Sequence, residues 1–244
     1  MIIIIVIIIF IIIIITIIII IIIHGCDTFD CVLYVMCILS IKCMFEKKKG
    51  KLNVENKFVD IDFKQAFENV NNKKIDPLCL DVTYKMCHNV LPVAYRLHGF
   101  GMNIDKMCSL CKNDVETVEH LFYFCIEIQP CKRLLSKWFR KIEQIAFSLD
   151  TLRFSYFSKR ICKRNTDLFM ILLSEYRISV WICRNKSRFD KKYYNSNEIL
   201  STFKNRIKFR IMVDFQRLSL HDFSLFWVKD SLCSIKNSCL EYEF

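Results

Sequence analysis

Cys108-Ser109-Leu110-Cys111-Lys112-Asn113-Asp114-Val115-Glu116-Thr117-Val118-Glu119-His120-Leu121-Phe122-Tyr123-Phe124-Cys125 is the stretch from which the rest of the chain is read. Its spacing is C-x2-C-x8-H-x4-C. Three thiols and one imidazole are donors that close a tetrahedral shell around a zinc ion. The paired cysteines require a tight knuckle, and His120 and Cys125 must return to it from a short following helix. Polar residues frame the knuckle, Asp105-Lys106 before it and Lys112-Asn113-Asp114 after it. Val115–Cys125 predicts the helix, with Asp114 or Thr117 as its cap. In a chain with 14 cysteines some fall together by chance, and a free Cys packs as a small hydrophobe. The polar frame argues against that reading here. Four protein ligands leave no open position, so Cys108, Cys111, His120 and Cys125 predict one structural Zn2+ and no metal-bound catalyst.

Outward from this cluster the chain reads as mainly α. Only four Gly and three Pro interrupt 244 residues, which disfavours turn-rich β architectures. Val59–Val70 predicts a helix from Phe63, Phe67 and Val70 at spacings of four and three. Asp76-Pro77 starts another that runs to about Asn89, and Pro92 interrupts the chain before Gly99-Phe100-Gly101. Lys132–Phe147 predicts a helix with Leu135, Trp138, Phe139, Ile142 and Ala146 on one face. Leu168–Cys183 is strongly apolar and predicts the core of the tail. Asn197–Leu218 comes next, with Ile199, Phe203, Ile207, Ile211, Phe215 and Leu218 inward; the last twenty residues are ambiguous.

At the same cluster the chain resembles a known module. Leu91-Pro92 and Leu97 match a Leu-Pro-x-x-x-x-Leu phrase, and Cys108, Cys111, Glu116, Thr117, His120, Leu121, Phe122 and Cys125 match C-x-x-C followed by Glu-Thr-x-x-His-Leu-Phe-x-x-Cys. These phrases resemble the zinc-binding domain that follows the reverse transcriptase of non-LTR (LINE-type) retrotransposon second-open-reading-frame proteins. Family members often carry Trp near the start of the preceding helix, where this chain has Thr83-Tyr84. Leu172–Asn185, Ile207–Leu218 and Phe226-Trp227 resemble the tail of such proteins more loosely. The resemblance implies a post-polymerase fragment that holds nucleic acid.

Charge points the same way. The net charge of +11 suggests an anionic partner, nucleic acid or a membrane surface. From Lys132 to Arg210 there are 20 Lys and Arg against six Asp and Glu. Arg133, Lys137, Arg140 and Lys141 form one stripe just after the zinc cluster, and Lys204, Arg206, Lys208 and Arg210 a second on Asn197–Leu218. Such stripes either meet the phosphates of RNA or DNA without sequence specificity or are solvated helix faces. Tyr123, Phe124 and Trp138 are candidates for base stacking or for the core.

The amino terminus carries two open readings. Residues 1–23 are isoleucine broken only by Val6, Phe10 and Thr16 after Met1. That length suits a hydrophobic helix spanning a bilayer, without the features of a cleaved signal. Lys42 and Lys47–Lys51 would then hold the bulk of the chain in the cytoplasm. Alternatively the run is a translated low-complexity repeat, leaving a nuclear or cytoplasmic protein. Cys26, Cys31, Cys37 and Cys43 lack metal-ligand spacing and read as apolar filler.

The expected organisation is thus a poly-isoleucine segment over 1–23, a hydrophobic and charged linker over 24–56, a zinc-knuckle helical domain over 57–145, and a basic helical tail over 146–244. No enzyme is expected. No Asp-Asp pair for two metals, P-loop, G-x-S-x-G or H-E-x-x-H occurs, and no small-molecule substrate is implied. Cys87-His88 are sequence neighbours that diverge on a helix and make a poor dyad. The rival to a nucleic-acid-binding remnant is a membrane-anchored zinc domain acting as a protein-interaction scaffold, or a fragment without function.

Overall fold

The computed structural model describes residues 61–70, 72–230, 232–236 and 239–244. The expectations for residues 1–23 and 24–56 lie outside them. No helix among the described residues is long and apolar enough to cross a membrane.

The helices begin where side chains can satisfy free backbone N–H groups. Helix α1, Phe63–Val70, starts at Asp62, whose Oδ1 accepts from the N–H groups of Lys64 and Gln65. Helix α2, Pro77–Cys87, has Asp76 as N-cap and proline in its first turn. It stops at His88, and Asn89 turns the chain at φ 53°. Leu91-Pro92 leads into α3, a short helix over Ala94–Gly99. Gly101 at φ 83° then reverses the chain towards the zinc knuckle.

Helix α4, Gln129–Glu143, starts earlier and stops sooner than its sequence pattern predicts, ending at Gln144 in the left-handed region. Ile145 and Phe147 enter the core beyond it, and Ala146 is exposed. A six-residue helix, α5 over Leu149–Phe154, is capped by Ser148. Helix α6, Lys163–Phe189, is 27 residues long and buried on most sides. Helix α7, Ser196–Arg217, opens with a capping box: Asn195 accepts from the N–H groups of Asn197 and Glu198, and Glu198 accepts from the N–H of Asn195. Ile199, Phe203, Ile207 and Ile211 are buried as predicted, Phe215 is half-buried and Leu218 is exposed. The short helix α8, Leu220–Phe223, and a wider turn over Ser224–Val228 come after it.

The ambiguous C-terminus contains an antiparallel pair, β1 over Cys233–Lys236 and β2 over Cys239–Tyr242, in register Cys233↔Tyr242. Phe244 then meets Trp138 of α4 edge-on, with centroids 5.1 Å apart. The fold is therefore mainly α with one small hairpin.

One hydrophobic cluster runs from Ile75 through Leu121, Phe139 and Leu172 to Trp227 and Cys233. It draws side chains from both sides of the expected 145/146 boundary. Helix α6 forms its axis, and the sequence pattern understates how polar that helix is inside. Buried Arg177 donates to the carbonyls of Thr151 and Leu152 and to the hydroxyls of Thr83 and Ser155. Burial holds its guanidinium down, to about 10. It sits on the C-terminal carbonyls of α5, where a cation complements the helix dipole. Asp167 receives Lys74, Lys163 and Asn72, and Glu175 receives Arg206. Each buried charge on α6 ties a different neighbour to it, so the helix fixes orientation as well as burying area.

Candidate metal centre

The knuckle is a tight reversal. Met107 and Val115 pair antiparallel, the Cys108 N–H donates to the Asp114 carbonyl at 2.8 Å, and the Lys112 N–H donates to the Cys108 carbonyl at 2.9 Å. Lys112 makes the turn at φ 60°. The Cys108 and Cys111 thiols are thereby presented on one side. Thr117 caps the ligand turn, its hydroxyl accepting from the His120 N–H at 3.0 Å.

The expected short α-helix is instead a π-turn over His120–Phe124. Ligands five positions apart point about 140° away from each other on an α-helix of 3.6 residues per turn. The wider turn, closed by the Cys125 N–H on the His120 carbonyl at 2.7 Å, draws both ligands onto one side. Here the metal-ligand spacing wins over α-helical geometry.

The ligand atoms of Cys108, Cys111, His120 and Cys125 all lie within 4.8 Å of one another. Cys108 Sγ and Cys125 Sγ are 3.9 Å apart, and Cys111 Sγ and His120 Nε2 are 3.3 Å apart. Ligands bonded tetrahedrally to zinc stand about 3.8 Å apart for two sulfurs and about 3.6 Å for sulfur and nitrogen. The set fits the ion. Asp114 Oδ2 lies 3.7 Å from His120 Nδ1, so a carboxylate faces the ring nitrogen that would not ligate. The hydrogen bond between the two sulfurs pulls one thiol of the Cys108–Cys125 pair down and pushes the other up. The pair shares one proton, and His120 is raised by its bond to Cys108.

Beneath the knuckle lies a residue whose role sequence reasoning missed. Glu116 is fully buried. It accepts from Arg184 at 2.6 Å, from Arg188 at 3.1 Å and from the Ala94 N–H at 2.7 Å. Burial pushes its carboxyl up, but Arg184 and Arg188 outweigh that and hold it below the usual value. Ser109 and Ser187 complete the attachment, and Arg188 donates to the carbonyls of Asp105 and Met107. The knuckle is thus bolted to the end of α6. The available signal was a Glu on the buried approach to the ligand helix and two Arg spaced by four, just beyond the apolar run of α6.

The basic candidates separate into two groups. Arg133, Lys137, Arg140 and Lys141 are exposed along α4, which begins four residues after Cys125. On α7, which packs beside α4 through Trp138 and Phe203, Lys204 and Lys208 are half-buried. Lys208 lies 5.3 Å from the Tyr242 ring. Arg206 is engaged by buried Glu175 at 2.7 Å, and Arg210 by Asp214 at 3.1 Å and the Lys74 carbonyl at 2.8 Å. Trp138 is buried in the core, Tyr123 lies under Lys132 at 3.5 Å, and Phe124 is exposed.

No curated protein and no solved structure matches the chain. Residues 43–130, which hold all four ligand residues and Glu116, match the family model described as zinc-binding in reverse transcriptase, the family that the cysteine–histidine phrase resembles.

Proposed function

We propose that this chain is a nucleic-acid-binding module of reverse-transcriptase type, ordered by one structural zinc ion and without polymerase or nuclease chemistry of its own. The observation that carries the reading is the exposed stripe Arg133, Lys137, Arg140 and Lys141 on the helix leading out of the ligand cluster. When bound, the ion supplies charge neutralisation and cross-linking; four protein donors leave it no position for substrate. The chain's own residues do the remaining work. The knuckle is held to the end of α6 by Glu116, which pairs with Arg184 and Arg188, and α4 begins four residues beyond the last ligand. Its cations contact phosphates of RNA or DNA, an affinity term that falls steeply with salt.

The test is the full-length chain in detergent micelles, with zinc content and binding of RNA and DNA oligonucleotides measured across a salt series. One zinc per chain with steeply salt-dependent binding supports the reading. Zinc without nucleic-acid binding, together with retention on lipid vesicles, supports the anchored scaffold instead. A chain without zinc removes the basis of both.

A further inference from the structure

A second surface lies between α3 and the start of the ligand turn. It is a cleft of about 760 Å³, within the roughly 300–1,000 Å³ of small-ligand sites. Tyr95 and Phe100 line it and are 59% and 74% exposed, unusual for two large rings so close in sequence. Arg96, Lys106 and Arg153 line it too, with Glu119 as the only carboxylate among the described residues of its wall. Arg153 holds Glu119 at 2.8 Å. Arg96 and Lys106 enter no ion pair among the described residues. With Glu119 engaged by Arg153, the cleft carries cationic charge that its own acid does not balance.

We infer that this cleft receives a single-stranded stretch of nucleic acid, with bases stacked on Tyr95 and Phe100 and phosphates met by Arg96 and Lys106. Flat exposed rings beside unbalanced cations complement an occupant that alternates flat apolar groups with negative charges. An acidic peptide would satisfy the cations and leave the rings bare. Duplex presents its bases stacked inside and has nothing to lay on the rings. The carbonyl of Glu116 fixes the first turn of α3 through the Tyr95 N–H at 3.2 Å, so the platform is tied to the same buried glutamate that anchors the knuckle. The inference rests on the proposed nucleic-acid function and deepens it by naming where bases, as distinct from phosphates, are held.

The experiment uses the full-length chain in micelles with fluorescein-labelled oligouridylate and oligothymidylate, and a duplex of equal length. Zinc content and circular dichroism check each variant's fold. Stacking by an aromatic ring contributes about 1–3 kcal/mol per base. Tyr95→Ala and Phe100→Ala are each expected to weaken single-strand binding roughly fivefold or more, with the salt slope unchanged and duplex binding unaffected. Tyr95→Phe retains affinity, and Arg96→Gln with Lys106→Gln flattens the slope. Tighter binding of the parent chain to oligouridylate than to oligothymidylate, or the reverse, identifies RNA or DNA as the preferred strand. Binding by both alanine variants within twofold of the parent chain overturns the inference and leaves the proposed function standing. A parent chain that binds no nucleic acid overturns both.

Discussion

Glu116 and Arg184, 68 positions apart, form an ion pair of 2.6 Å in which neither side chain reaches solvent. One belongs to the approach to the ligand turn and the other to the far end of α6. The pair therefore makes the small metal cluster and the long central helix one mechanical unit. Breaking a buried pair from one side leaves an uncompensated charge, at about 3–5 kcal/mol. Arg184→Met or Glu116→Gln is expected to destabilise the chain by that amount and to lower zinc retention. The double variant recovers part of the loss. Chemical denaturation of the two singles and the double checks this, and strictly additive losses would mean that the pair is not coupled.

The ligand set makes a sharper prediction. Binding and folding are coupled at closed metal sites. Cys108→Ser or His120→Ala is expected to abolish zinc binding and to expose the amides of the knuckle and ligand turn to exchange. Chelation of the parent chain does the same. Cys162→Ser, at an exposed cysteine away from the cluster, keeps the ion. One tightly held zinc in both ligand variants would sink the assignment.

Features legible in the sequence are those whose determinants are local. The C-x2-C-x8-H-x4-C spacing, the caps at Asp76 and Thr117, and the inward Ile199–Ile211 face all depend on residues within a turn or two of each other, and all appear in the structure. The π-turn escaped because α-helical periodicity gives no warning that two ligands five apart will widen the helix. Arg177 and Glu116 escaped for a different reason. Their partners lie on other elements, and a charged residue in an amphipathic pattern reads as solvated until the fold brings four acceptors or two guanidiniums against it. The hairpin over Cys233–Tyr242 is too short and mixed for period-two alternation to distinguish it from loop.

Asp167 predicts the acid limb of stability. It is buried; burial raises its carboxyl, but bonds from Lys74, Asn72 and Lys163 outweigh that and leave it below the usual value. A carboxyl depressed in the folded state contributes stability above its unfolded value, about pH 3.9, that is lost as pH falls through the folded value. Urea midpoints of the parent chain should therefore drop below about pH 4 more steeply than those of Asp167→Asn. The variant starts lower at neutral pH, since α6 loses its tie to Lys74. Parallel profiles would show that Asp167 carries no linkage.

The two basic stripes differ in what their side chains already touch, and this yields the last prediction. Arg133, Lys137 and Arg140 are exposed on α4 and enter no ion pair among the described residues. Arg206 instead neutralises Glu175, a buried carboxylate raised by its burial, and Arg210 spans Asp214 and the Lys74 carbonyl. Each phosphate contact contributes about 0.7 to the logarithmic salt slope on single strands and about 0.9 on duplex. Replacing Arg133, Lys137 and Arg140 together by Gln is thus expected to flatten the slope by up to about two to three units while leaving the denaturation midpoint unchanged. Arg206→Gln should do the opposite: the slope stays, and stability falls because Glu175 loses its counter-charge in the interior. A salt slope that responds to Arg206 and not to α4 would move the phosphate contacts onto α7.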